Sequence, residues 1–236
     1  MRVFAFEGIR YTGRDEDPGV LVAPPYDQIN DALRDRLHAV SPHQFAHLIK
    51  PLPGRSGNPY REAARLHGTW LEDGTLAVED RPSLYPYEIV LAHGGTRLGL
   101  MALVGLEEPE TGIIRPHEQT LDKALADRLE LLRTTAVDLE PALLLPDDGG
   151  ALDAMLAEDI RGKKPLVEHT DADGHRHRLY RVSDAARIAR YQALLAPLSA
   201  AIADGHHRYK TGLLYAREIA AHPGTAAAAK LAVITS

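Results

Sequence analysis

The sequence predicts an α+β, or mixed α/β, fold. Strand-like and helix-like segments intermix along the chain without strict alternation, and no internal repeat is visible. The 236 residues, 44% hydrophobic and 25% charged, suffice for one large domain or two small ones around a sizeable core. Aromatic residues make up only 6%, so Leu, Ala, Val and Ile are expected to build that core.

Val3 to Tyr11 carries β-branched and aromatic residues and reads as a strand. Val20-Leu21-Val22-Ala23 reads as a short strand stopped by Pro24-Pro25. Asp27 to Val40 is expected to be helical, with Asp27 and Asn30 as cap candidates and Leu33, Leu37 and Val40 at helical spacing. Ala46 to Lys50 reads as another short strand, and Pro51 to Pro59 as a loop. Asn58 then caps a helix whose first residue is Pro59 and which ends near Asp73-Gly74. Leu84–Ala92 and Thr96–Leu106 form a hairpin through His93-Gly94-Gly95.

Ile113-Ile114 is a brief strand leading into Arg115-Pro116-His117-Glu118. Thr120 to Thr135 reads as a strong helix with Leu121, Leu125, Leu129 and Leu132 inward and its charges outward. Ala142–Leu145 reads as a buried strand and Ala151–Asp159 as a short helix. Leu166–Thr170 and His177–Val182 are strands around the Asp173-Gly174 turn, and Asp184–Leu195 is a helix. Leu198–Ala203 is strand-like and delivers the chain to Asp204, after which Gly205 to Ala220 is helical. Leu231 to Thr235 looks like an apolar strand in need of a partner, so the chain is expected to be a shortened form of a longer protein. The expected division is an N-terminal α/β portion, 1–84, packed on a core of 85–236.

The net charge of −6 argues against a general nucleic-acid coat or an anionic-membrane binder, although a local basic cluster can still hold a small nucleotide. The absence of Cys excludes disulfides, thiolate metal sites and a Cys nucleophile. No signal peptide and no apolar run near the roughly 20 residues of a bilayer span is present, so the cytoplasm is the expected location. There is no Gly-x-x-x-x-Gly-Lys-Ser/Thr loop, no Gly-x-Gly-x-x-Gly run and no Gly-x-Ser-x-Gly elbow.

The most informative stretch is Asp204-Gly205-His206-His207-Arg208-Tyr209. A strand enters a sharp turn and a helix leaves it. The first turn of a helix has unpaired N–H groups and a partial positive charge, which suits an anion. Gly205 allows close approach to the backbone, His206 and His207 add donors, and Arg208 can grip a phosphate through two parallel bonds. Asp204 sits where an N-cap, a magnesium ligand or a general base would sit. Two alternatives stay open: a plain N-cap on a polar helix start, and a metal held by Asp204 with His206 or His207.

This turn resembles the phosphate-binding turns of sulfiredoxins, ParB proteins and free-serine kinases. More broadly, the chain resembles the prokaryotic family catalogued as domain of unknown function ten-fifteen. The resemblance rests on Val22-Ala23-Pro24-Pro25-Tyr26-Asp27, Ile114-Arg115-Pro116-His117-Glu118-Gln119-Thr120, Asp127-Arg128-Leu129-Glu130-Leu131-Leu132-Arg133 and Ala203 to Tyr209. It implies a ParB/sulfiredoxin-like nucleotide-binding core with an N-terminal elaboration.

The expected activity is a phosphotransferase moving phosphate from ATP or ADP, with magnesium, to a small hydroxylated metabolite such as free serine. Gly205, His206, His207, Arg208 and Arg128 would bind phosphates, and Glu118, His117 and Asp204 would manage the proton or the metal. Tyr26 and Asp27 would form a substrate rim. Glu118 also reads as part of a helix cap, Asp127 and Arg128 as a solvated helix face, and Pro24-Pro25-Tyr26-Asp27 as a rigid turn. A nucleotide-sensing module without turnover and a metal-dependent hydrolase remain as alternatives.

Overall fold

A computed structural model describes residues 1–13 and 16–236 as a mixed α/β protein. By internal contacts it divides into two compact units, one of residues 1–8, 80–129 and 141–236, the other of residues 9–79 and 130–140.

The chain opens with β1, Val3–Phe4, in the first unit. The second unit then contributes β2 (Ile9–Tyr11), α1 (Pro18–Leu21), α2 (Asp31–Val40), α3 (Ala46–Ile49), α4 (Pro59–Glu72) and β3 (Leu76–Val78). The single strand expected over 3–11 is thus two, because β2 pairs with β3 while β1 pairs with a strand of the first unit.

Two further corrections fall in the second unit. Val20 and Leu21 close the helical turn α1 and Val22 and Ala23 follow it: Pro18 stands at its start and the Asp17 carboxylate accepts the Gly19 N–H at 2.8 Å. Ala46–Ile49 is also one helical turn, held by the Gln44 side chain, which accepts from Ala46 N–H and donates to the Val22 carbonyl. Asp27 lies in a 3₁₀ turn, Tyr26–Gln28, and the cap of α2 is Asn30 alone. Asn58 caps α4 as expected, and Trp70 is its largest buried side chain.

The first unit continues with β4 (Tyr85–Val90), β5 (Thr96–Gly105), β6 (Ile114–Arg115) and α5 (Asp122–Thr135), whose last residues pass into the second unit. It resumes with β7 (Ala142–Pro146), α6 (Ala151–Ile160), β8 (Val167–Thr170), β9 (Arg176–Leu179) and α7 (Ala185–Leu195). It ends with β10 (Ala200–Asp204), α8 (His206–Glu218) and β11 (Ala229–Ile234).

Its nine strands form one mixed sheet in the order β6-β10-β7-β11-β5-β4-β9-β8, with β1 beside β5. Alternate residues make the core stripe: Leu100, Ala102 and Val104 of β5, Ala142 and Leu144 of β7, Ala200 and Ile202 of β10, Ala232 and Ile234 of β11. This period of two is what a sheet face imposes. Leu152, Leu156, Tyr191 and Leu195 of α6 and α7 complete the cluster, each large apolar side chain contributing about 1.5–3 kcal/mol on burial.

β11 is not a strand in want of a partner. It pairs antiparallel with β5 and parallel with β7. Leu121, expected inward, is 71% exposed because α5 starts one residue after it. Arg128, expected on a solvated face, is buried, with its guanidinium on the Asp127 carboxylate at 2.6 and 2.9 Å. Among the described residues no helix is long and apolar enough to cross a membrane.

Candidate functional site

β6 and β10 run parallel, with Ile114 beside Ala200 and Arg115 beside Ala201. Their carboxyl ends therefore lie together, the place where α/β sheets present loops to ligands. β10 shifts register against β7 between Ile202 and Asp204, a bulge of the kind that re-aims the chain at a strand end. Gly205 then takes the left-handed conformation, φ +86°, and α8 starts at His206 without a side-chain cap. The first turn of a 13-residue helix thus carries N–H groups that no capping side chain satisfies.

The basic residues of that turn divide their tasks. His206 is buried, and its Nε2 receives the His117 N–H at 3.3 Å. His207 Nε2 receives the Leu121 N–H at 2.9 Å. Lys210 Nζ donates to Thr120 Oγ1 at 2.9 Å. Three side chains near the start of α8 thus hold three points of the 116–121 loop, which carries His117 and Glu118 to the amino end of α8. The Glu118 carboxylate lies 3.5 Å from His206 Nδ1 and 4.0 Å from His117 Nε2, and the two imidazoles meet edge to face at 4.4 Å. Desolvation first, and the neighbouring His117 second, hold the His206 pKa below its usual value, although Glu118 and Asp204 pull the other way.

Arg208 does not reach outward. It is buried, and its guanidinium donates to the Asp204 carboxylate and to the Pro141 carbonyl. Its Cζ and Nε lie so close over Gly205 that a Cβ there would stand 3.1 Å from each. The space that glycine leaves is filled by the protein's own arginine, not left for a ligand. Arg208 Nε is a buried nitrogen with no hydrogen-bond partner among the described residues. Asp204 remains half-exposed, with Oδ2 engaged by Arg208. Tyr209 fixes the helix from behind: its buried hydroxyl accepts from the Glu107 N–H at 2.9 Å and donates to the Glu107 carbonyl at 3.2 Å.

Of the residues singled out by sequence, Glu118, His117, Asp204, Gly205, His206, His207 and Arg208 come together here. Arg128 lies on α5, buried, with its guanidinium on the Asp127 carboxylate. Tyr26 and Asp27 belong to the second unit, Tyr26 buried with its N–H on the Glu140 carboxylate at 3.0 Å, Asp27 exposed. Thr120 and the Pro141 carbonyl were not anticipated. Neither has a local pattern, since each is recognised only through a partner far away in sequence.

No curated protein and no solved structure matches the chain. One family does, over residues 3–236, and it takes in the β10–α8 turn, the 116–121 loop and both units. The chain belongs to that family, which is described as protein of unknown function (DUF1015).

Proposed function

We propose that the protein binds the phosphates of a nucleotide at the amino end of α8 and transfers a phosphoryl group to a small hydroxylated metabolite, free serine being the first acceptor to test. One observation carries this reading: an uncapped helix start at the carboxyl ends of two parallel strands, ringed by His117, Glu118, His206, His207 and Lys210. Such a helix end favours an oxyanion through its N–H groups and its dipole.

In this reading the N–H groups of the first turn of α8 and the Lys210 ammonium hold phosphate oxygens. Arg208 instead fixes Asp204 and the turn. Asp204 keeps Oδ1 for magnesium brought with ATP or ADP, and the exposed Glu118 accepts the acceptor's hydroxyl proton. ParB- and sulfiredoxin-like proteins are the analogy for this core, on the strength of the turn alone.

Calorimetry with magnesium and ATP or ADP tests the first half, and absence of binding refutes it. Glu118→Ala should then spare binding and stop turnover with serine. A second reading, a nucleotide sensor without turnover, is favoured by the occupied guanidinium of Arg208, which leaves that arginine unable to neutralise a transferring phosphoryl group. It is distinguished by tight nucleotide binding with no phosphorylated product in the unaltered protein.

A further inference from the structure

We infer that His117, Glu118 and His206 form a site for a divalent transition-metal ion of the zinc class. The ligand atoms of these three residues lie within 4.8 Å of one another. Two of the separations are 3.5 Å, His206 Nδ1 to Glu118, and 4.0 Å, His117 Nε2 to Glu118. Ligands at about 2.0–2.1 Å from a tetrahedral ion stand about 3.3 Å apart, so a small closure of the loop suffices. Two imidazoles and one carboxylate are a zinc-type donor set that leaves a coordination position open, whereas magnesium prefers oxygen alone.

The three ligands differ in mobility. His206 is buried at the start of α8 and is placed by the helix. His117 and Glu118 are exposed, so the open side of the ion would face solvent. Binding at Nδ1 moves the His206 proton to Nε2 and breaks the long 3.3 Å bond from the His117 N–H. The ion replaces that bond and the contacts of Glu118 with the two imidazoles. The neighbours are otherwise committed: His207 Nε2 is held by the Leu121 N–H and Asp204 Oδ2 by Arg208.

A second cluster, Asp171, Asp173 and His175, lies at the β8–β9 turn. Asp171 already accepts the N–H groups of Asp173 and His175 and contacts His177, so its oxygens serve the turn. It carries no such inference.

The inference stands on this geometry and not on nucleotide binding. With an ion in place Glu118 is a ligand, and the proton-accepting role passes away from it. The test uses the whole chain, purified without a polyhistidine tag and stripped with a chelator. Zinc is titrated calorimetrically without nucleotide, and retained zinc is counted by elemental analysis.

The expected result is one zinc per chain, weakened about 10-fold or more by His117→Ala and by Glu118→Gln, with Asp173→Ala unchanged. Both diagnostic residues are exposed, so their loss leaves the fold intact, which replacement of buried His206 would not guarantee. No stoichiometric zinc, or zinc binding indifferent to both substitutions, overturns the site. So does binding weakened only by Asp173→Ala. Nucleotide binding measured separately keeps the two proposals apart: its absence with zinc retained refutes only the phosphate reading.

Discussion

Gly205→Ala should cost far more than an ordinary glycine replacement. At φ +86° an L-residue adopts the left-handed region at a cost of about 1–2 kcal/mol. The new Cβ would also meet Arg208 Cζ and Nε at 3.1 Å and the Ala142 Cα at 3.2 Å. Ala142 is backbone in the centre of the sheet and cannot yield. Arg208 can yield only by loosening its bonds to Asp204 and Pro141. Crowding of this kind adds about 1–3 kcal/mol, for a total of about 2–5 kcal/mol.

Gly112→Ala, in the same unit, isolates the backbone part, because φ is +67° there and nothing lies within 4 Å of the added methyl. For a chain of this length 1 kcal/mol corresponds to about 2–4 °C, so Gly205→Ala should melt about 2–12 °C below Gly112→Ala. Calorimetry or urea unfolding reads the difference. The excess should shrink in an Arg208→Ala background. Equal destabilisation at the two glycines would refute the claim that Arg208 fills the space over Gly205.

Tyr191→Phe removes the hydroxyl that donates to the buried Asp159 carboxylate at 2.8 Å, and should cost about 1–3 kcal/mol in urea unfolding. A neutral result would mean that Arg187, 3.0 Å from Asp159, suffices alone. Asn58→Ala deletes the acceptor of the Arg61 N–H and should cost about 1 kcal/mol, with helix content falling only on unfolding. Burial lowers the pKa values of His38, His47 and His67, so the folded state holds these imidazoles neutral while the unfolded chain protonates them near pH 6.5. Their contribution is present above that value and is lost as pH falls below it. The melting temperature should therefore drop between about pH 6.5 and 5, before most carboxylates titrate, and the drop should be smaller in His67→Leu. An unchanged profile in that variant would show that His67 takes no part.

Features written in adjacent residues were legible in the sequence. Asn58 with Pro59 marked the start of α4, His93-Gly94-Gly95 joined β4 to β5, and a run of small apolar residues before Asp204-Gly205 marked a strand, a turn and a helix. Val20–Ala23 and Ala46–Lys50 failed for one reason. A stretch of four or five residues, apolar in most positions, is too short to carry a period that separates a strand from one helical turn, and the deciding groups, Asp17 and Gln44, lie outside it. Arg128 failed because helical spacing does not say which side of a helix the rest of the protein covers. At the turn, the residue types were legible but their directions were not. His206, His207 and Lys210 are bound to a loop some ninety residues earlier, and Arg208 folds back over Gly205.

The central place of β11 bears on how the first unit assembles. β5 and β7 are not paired with each other; each pairs with β11, Leu231 beside Leu103 and Ala232 beside Ala142. The hairpin of β4 and β5 can zip as soon as it is made, but the sheet cannot close across its middle until residues 229–234 arrive. Until then two apolar strand edges stand open, separated by a loop whose closure entropy is not yet repaid. Such non-local pairing makes folding slow, in the range of milliseconds to seconds, and the open edges are the surfaces through which unfinished chains would associate. A fluorescent reporter of β11 docking should accordingly follow the last folding phase, and amide protons of β5 and β7 should gain protection together with it.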